Sequence, residues 1–196
     1  TRTPLTVAQL VPNRGLRNAI DERRAQIAEE AARGLIDYRE FTNLERVGQG
    51  AFGEVHKARW RNGTVALKAA RNNEHDIAPE IELLANLGKH PRLVTFFGKS
   101  RDPNGRSCMV TEFAELGSLD AVLEDNFDDI SNESSITDEV ALVMASQIND
   151  GMLALHHAGV LHRDLASRNV LVRDFDREAP GRINLCITDF GLARQD

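Results

Sequence analysis

Cysteine is scarce in this chain. There are 2 in 196 residues, Cys108 and Cys186, and two isolated thiols supply neither a disulfide framework nor a zinc-ligand cluster. Long apolar runs are absent: none reaches the roughly 18 residues a spanning helix needs, and no signal-peptide core opens the sequence. Neither a membrane span nor export is expected, and the reducing cytoplasm is the expected setting. Positive charge is in deficit, with Lys+Arg 24 against Asp+Glu 30, a net −6 and a pI near 5.5. Without a basic block, binding to nucleic acid or an anionic membrane by bulk charge is not expected. No internal repeat is present. What remains is a globular composition, 41% hydrophobic and 28% charged, with room for one ordinary domain or a small one plus part of a larger.

Two blocks differ in texture. Residues 12–33 read as one amphipathic helix: Asn13 can cap it, Leu16, Ile20, Ile27 and Ala31 form its stripe, and Gly34 stops it. A linker is expected over 34–40. Strand-like text follows from Phe41 to Val47 and, past a glycine cluster, from Glu54 to Trp60. Asn62-Gly63 then signals a hairpin that returns along Val65 to Ala69. A helix is expected over 76–87, with Asp76 as cap, Pro79 in its first turn, and Ile81, Leu84 and Ala85 on one face. Two more strands are expected over 92–98 and 107–113, joined by the turn Asp102-Pro103-Asn104-Gly105. Residues 124–139 read as a solvated acidic loop. Thr137 opens a long helix with Val140, Met144, Ile148, Met152 and Leu155 on one face, closed by Gly159. Short apolar runs, 170–172 and 185–188, alternate with polar loops to the end.

Four segments carry chemistry. Gly48-Gln49-Gly50-Ala51-Phe52-Gly53 lies between two strands. A dinucleotide fingerprint needs a helix after its glycines, so this spacing suits either a plain hairpin turn or a loop folding its N–H groups over phosphates. Lys68 ends the apolar run Val65-Ala66-Leu67. An ammonium on a half-buried face needs an anion, unless its stem packs while its head reaches water. Glu80 is the best carboxylate for it, with Glu82 two residues on. In His162-Arg163-Asp164-Leu165-Ala166-Ser167-Arg168-Asn169, Asp164 could take a hydroxyl proton and Asn169 could offer an amide oxygen to a divalent cation. Asp189-Phe190-Gly191 places another carboxylate at a strand end, within reach of the same metal.

In this order and spacing the four segments resemble a eukaryotic protein kinase over 41–196. The resemblance implies an α+β, bilobal fold with a complete N-lobe and a partial C-lobe, ATP and Mg²⁺ as cofactors, and protein substrates. It implies that Gly48, Gly50 and Gly53 cover the ATP phosphates, that Lys68 holds them and pairs with Glu80, and that Asp164 is the catalytic base. Asn169 and Asp189 would be the metal ligands. Val55, Ala66 and Leu171 match adenine-sandwiching positions, Thr111 the gatekeeper, and the backbone of Glu112 and Ala114 the hinge. Leu84, Phe96, His162 and Phe190 match the apolar column between the lobes. Ala166 and Arg168 resemble the tyrosine-kinase form of the loop, whereas Glu80-Ile81-Glu82-Leu83-Leu84 is similar to tyrosine-kinase-like kinases; the acceptor hydroxyl stays open.

The sequence stops five residues after Gly191, before the activation segment that would answer Arg163. The resemblance therefore implies a piece of a longer enzyme, inactive by itself. Residues 1–33 are similar to the second half of a U-box, a zinc-free ubiquitin-ligase domain, on Thr1-Arg2-Thr3-Pro4-Leu5-Thr6, Gln9-Leu10-Val11-Pro12-Asn13, Leu16 and Ala19-Ile20-Asp21. Arg2 would then bridge a ubiquitin-conjugating enzyme and its ubiquitin. Two other classes compete with a kinase: a nucleotide-binding pseudokinase scaffold, and a ubiquitin ligase with a kinase-like regulatory module. Intact Lys68, Asp164, Asn169 and Asp189 argue against the scaffold.

Overall fold

A period of two in the first strands decides which way each side chain faces. The computed structural model describes residues 35–50, 53–71, 77–127 and 136–195, so the expected helix over 12–33, the U-box resemblance and Arg2 lie outside the described residues. The chain divides into the units Thr1–Leu35 and Ile36–Asp196. In the second unit β1 (Thr42–Gly50), β2 (Gly53–Trp60), β3 (Gly63–Ala70), β4 (Phe96–Arg101) and β5 (Ser107–Glu112) form an antiparallel sheet in the order β1-β2-β3-β5-β4. Along β3, Val65, Leu67 and Ala69 are buried, while Ala66 and Lys68 on the opposite face are half-buried. Val65 and Leu67 pack with Ala58, Val110, Phe41 and Ile36, which leaves the other face for the site.

The expected linker is packed structure from Ile36 onward. Ile36 N–H donates to the Lys99 carbonyl at 2.7 Å, and Ser100 Oγ donates to the Ile36 carbonyl at 2.8 Å. The segment thus covers β4, the sheet's edge strand, whose unpaired groups would otherwise invite another chain. The β2–β3 hairpin turns one residue earlier than the Asn-Gly signal: Trp60 pairs with Gly63, so Arg61 and Asn62 are the loop. Arg61 takes the left-handed φ of 53° and lies over the Trp60 ring at 4.3 Å.

Helix α1 (Ala78–Leu87) has Pro79 in its first turn and Ile77 at its N-cap position; Asp76 lies outside the described residues. Its buried positions are Glu80 and Leu84, with Ile81, Leu83 and Leu87 packed beside the core. Ala85, expected on that face, is exposed. The strand expected over 92–98 begins only at Phe96. Residues 92–94 instead pair with a strand from the other lobe: Val94 N–H donates to the Ile187 carbonyl and Ile187 N–H to the Arg92 carbonyl, each at 2.9 Å. The apolar run does make ladder bonds, with a partner that local sequence cannot show.

Part of the expected acidic loop is helix. Helix α2 (Leu119–Phe127) buries Leu119 and Val122, and two apolar anchors at helical spacing outweigh the polarity around them. Helix α3 (Asp138–His157) starts as expected, with Thr137 Oγ1 accepting from Val140 N–H at 3.3 Å. It buries Val140, Met144, Gln147, Gly151 and Leu155, and Gly159 follows it with φ 67°. Two short antiparallel pairs follow α3: β6 (Val160–Leu161) with β9 (Arg194–Gln195), and β7 (Val170–Asp174) with β8 (Asn184–Ile187). One core cluster runs through both lobes, from Ile77 and Leu84 to Leu155, Ile187 and Phe190. Among the described residues no helix is long and apolar enough to cross a membrane.

Helix α3 approaches the interlobe segment so closely that only glycine fits at 151. A Cβ there would sit 2.8 Å from both the Arg92 carbonyl oxygen and Ile187 Cδ1. Gly151→Ala gains up to about 1 kcal/mol of helix propensity, against an overpacking cost of about 1–3 kcal/mol. Because backbone cannot step aside cheaply, the clash wins. Thermal unfolding is expected to show a lowered Tm for Gly151→Ala; an unchanged or raised Tm would contradict the packing.

Candidate active site

Lys68 projects from the half-buried face of β3 and meets two carboxylates. Its Nζ lies 2.8 Å from Glu80 Oε2 on α1 and 3.0 Å from Asp189 Oδ1 beyond β8. The Lys68 side chain is 15% exposed, Glu80 2% and Asp189 31%. Burial alone pushes the ammonium pKa down, but Glu80 and Asp189 outweigh it and the pKa is raised. Lys68 is therefore a fixed cation. Glu82, the other sequence candidate, is exposed, because the helical period puts positions 80 and 82 on different faces. Glu80 Oε1 also accepts from Phe190 N–H at 3.2 Å, which fixes the backbone beside Asp189. Asp189 itself has φ 62°, and Arg163 has φ 68°. Non-glycine residues held in the left-handed region cost energy that only surrounding structure offsets, and such strain gathers at functional sites.

A second cluster forms around Asp164. Its Oδ1 accepts from Arg168 Nη2 at 2.7 Å, and its Oδ2 and backbone carbonyl accept from Asn169 Nδ2 at 2.9 and 2.7 Å. The Arg168 hydrogen bond, helped by the one from Asn169, holds the Asp164 carboxyl below its ordinary pKa against partial desolvation. Asn169 has spent its amide nitrogen, which leaves its oxygen as the group able to meet a cation. The clusters are joined through backbone, since Thr188 N–H donates to the Asn169 carbonyl at 2.9 Å. His162 is buried and accepts from Asp164 N–H at 3.3 Å through Nδ1, while Nε2 lies 3.0 Å from the Thr188 carbonyl. Its ring stands 5.3 Å from Phe190; Leu84 is in the same cluster, with Phe96 packed against it.

The remaining sequence candidates line the same side of the sheet or its rim. Gly48 pairs with Val55 and Gly50 with Gly53 at the β1–β2 turn, Val55 pairs with Lys68, and Ala66 pairs with Thr111. Gly53 has φ 141°, and a Cβ there would lie 1.9 Å from the Ala69 carbonyl oxygen, so the turn requires glycine. Ala51 and Phe52 lie outside the described residues. Glu112 N–H is committed to the Thr95 carbonyl at 3.0 Å, so of its backbone only the carbonyl can take a ligand. Leu171 bridges Ser118, just past Ala114 and Gly117.

Sequence reasoning missed three residues that hold the lobes together. Arg92 Nη1 donates to Gln147 Oε1 at 2.7 Å and to Asn184 Oδ1 at 2.9 Å. Gln147 Nε2 donates to the Ile183 carbonyl, and its oxygen also accepts from Leu185 N–H. Arg173 forms a two-pronged pair with Glu112, Nε to Oε2 at 2.8 Å and Nη2 to Oε1 at 2.6 Å. The signal for Arg173 was legible: it ends an apolar strand as Lys68 does.

A family model described as protein tyrosine and serine/threonine kinase matches residues 41–196. The chain belongs to that family. Its kinase domain is 34% identical over 166 residues to human tyrosine-protein kinase FRK, covering 81% of this chain and 30% of that protein. It is 34% identical over 162 residues to the dual specificity protein kinase pyk3 of Dictyostelium discoideum, covering 81% and 11%. A mimivirus protein named as a serine/threonine-protein kinase/receptor is 34% identical over 166 residues, covering 81% and 9%. The chain thus spans about a tenth of the viral relative's length.

Within the kinase domain, the depressed Asp164 pKa depends first on Arg168. In Arg168→Leu the carboxyl is expected to titrate higher, towards the ordinary value of about 3.9, with Asn169 still restraining it. Carbon-detected NMR titration of Asp164 measures this directly. A midpoint that does not move would show that Arg168 contributes nothing.

Proposed function

We propose that the protein is an ATP-dependent protein kinase that transfers the γ-phosphoryl group to a tyrosine or serine/threonine hydroxyl of protein substrates. The observation that carries this reading is the fixed cation Lys68 held between buried Glu80 and the part-exposed carboxylate Asp189. The donor set suits Mg²⁺, which prefers hard oxygen ligands: Asp189 offers a carboxylate and Asn169 an uncommitted amide oxygen. The glycine turn suits a phosphate chain, since among the described residues nothing beyond its chain neighbours lies within 4 Å of where a Gly48 Cβ would stand. Magnesium, when bound, supplies positive charge against the phosphate oxygens.

The chain's own groups do the rest. Lys68 holds the α- and β-phosphates, kept in place by Glu80. Val55, Ala66 and Leu171 enclose the adenine, with Thr111 behind it and the Glu112 carbonyl and Ala114 N–H at its edge. Asp164 orients the acceptor hydroxyl and takes its proton. A carboxylate with a lowered pKa is a weak base, which suits a loose transition state in which the hydroxyl proton leaves late. Arg168 places a second cation beside the transferring group.

On sequence alone, residues 1–33 extend the proposal to a parent protein that also carries a U-box, with Arg2 facing a ubiquitin-conjugating enzyme and its ubiquitin. A cytoplasmic location is proposed, supported by two free, buried cysteines, Cys108 and Cys186.

Asp164→Asn in the intact protein is expected to lower phosphoryl transfer by at least about 10²–10⁴-fold, the range general-base catalysis supplies. ATP affinity is expected to stay near the wild-type value. Radiolabel transfer and calorimetric ATP binding measure the two arms. Undiminished turnover would overturn the assignment.

A further inference from the structure

Every polar group of Glu112, at the end of β5, has a partner within the protein. Its N–H donates to the Thr95 carbonyl at 3.0 Å, and its carbonyl accepts from Thr111 Oγ1 at 3.2 Å. Its Oε1 accepts from Thr95 N–H at 2.6 Å, and both carboxylate oxygens lie in the Arg173 fork. Arg173 reaches further. Its Nη2 also donates to the Leu93 carbonyl at 3.2 Å, and its Nη1 donates to the Pro91 carbonyl. One guanidinium from β7 in the second lobe therefore ties together the end of β5 and the interlobe segment 91–95.

The pair is shielded, with side chains 20% and 19% exposed. Burial alone pushes the Glu112 carboxyl up, but Arg173 and the Thr95 N–H hold it below its usual range; the Arg173 pKa is raised in turn. Both groups stay charged, and a bidentate pair fixes angle as well as distance. A carbonyl oxygen has two acceptor sites, so the bond from Thr111 leaves one for a ligand, on a residue whose N–H and side chain are both anchored.

We propose that Arg173 is a positioning residue for nucleotide recognition: by clamping Glu112 it fixes the hinge carbonyl against which the adenine edge docks. This rests on the nucleotide-site reading above and adds to it a residue that touches no ligand. The Glu112 carbonyl is preorganised before nucleotide arrives, so removing the clamp costs base recognition and leaves the phosphate machinery around Lys68 and Asp164 intact.

The test uses the intact protein with Arg173→Met, which keeps the apolar stem, and Arg173→Lys, which keeps the charge but loses the fork. Glu112→Gln and the double variant Glu112→Gln/Arg173→Met complete a cycle. Calorimetry with adenosine reports the base half of the site, and steady-state kinetics report KM for ATP and kcat separately. For Arg173→Met we expect adenosine affinity to fall and KM for ATP to rise by the same factor, at least about fivefold, the scale on which small misplacements act, with kcat within about twofold. Arg173→Lys should fall between Arg173→Met and wild type, and the double variant should be no worse than the more affected single, because the pair acts as one unit. Unchanged adenosine affinity, a loss confined to kcat, or a raised kcat at unchanged KM would each overturn the proposal. A wild-type protein that binds neither ATP nor adenosine would instead overturn the nucleotide-site reading, and this inference with it. Thermal unfolding of each variant, with affinity measured well below its Tm, separates lost recognition from lost folding.

Discussion

A buried ammonium must be neutralised, and much of this molecule follows from how Lys68 meets that demand. Taking an ion out of water costs several kcal/mol even after relaxation, and a partner repays the cost only with good geometry. Glu80 supplies that geometry from α1, and Asp189 supplies a second carboxylate from the other lobe. Placing both requires three elements in fixed relation: the inward face of β3, the first turn of α1, and the turn after β8. Phe190 shows the coupling well. Its N–H binds Glu80 while its ring fills the core beside His162, so the polar site and the apolar column share one residue.

The lobes are held in register by polar groups as much as by apolar ones. Residues 92–94 exchange backbone bonds with Ile187, and Arg92, Gln147 and Asn184 satisfy one another around that crossing. Buried polar networks of this kind are costly when incomplete and specific when satisfied. Among the described residues no buried side-chain nitrogen or oxygen is left without a partner. The Arg173–Glu112 pair continues the same design to the hinge. Together these contacts join the lobes in addition to Lys68's own cross-lobe bond.

What the sequence revealed and what it concealed divide along physical lines. Period-two and period-3.6 patterns locate β2, β3, β5 and α3 closely, and motif spacing alone singles out Lys68, Asp164, Asn169 and Asp189. Glu80 ranked ahead of Glu82 on the sequence, and the rotation of α1 buries the first and exposes the second. The end of helix α2 hid in acidic text because its buried anchors, Leu119 and Val122, come before that text begins. Residues 92–94 read as strand yet pair across the lobes, and Arg173 finds Glu112 across 61 positions; long-range pairing has no local signature. The segment from Ile36 read as slack because its partner, the edge of β4, comes more than sixty positions later.

The central claim is that the Lys68, Glu80, Asp189 and Asn169 groups form a site for a nucleotide triphosphate and its magnesium. Titration calorimetry of the intact protein with ATP, with and without Mg²⁺, tests it most directly. One saturable site per chain is expected, with an affinity that rises when magnesium is present. No binding, or binding that magnesium leaves unchanged, would contradict it.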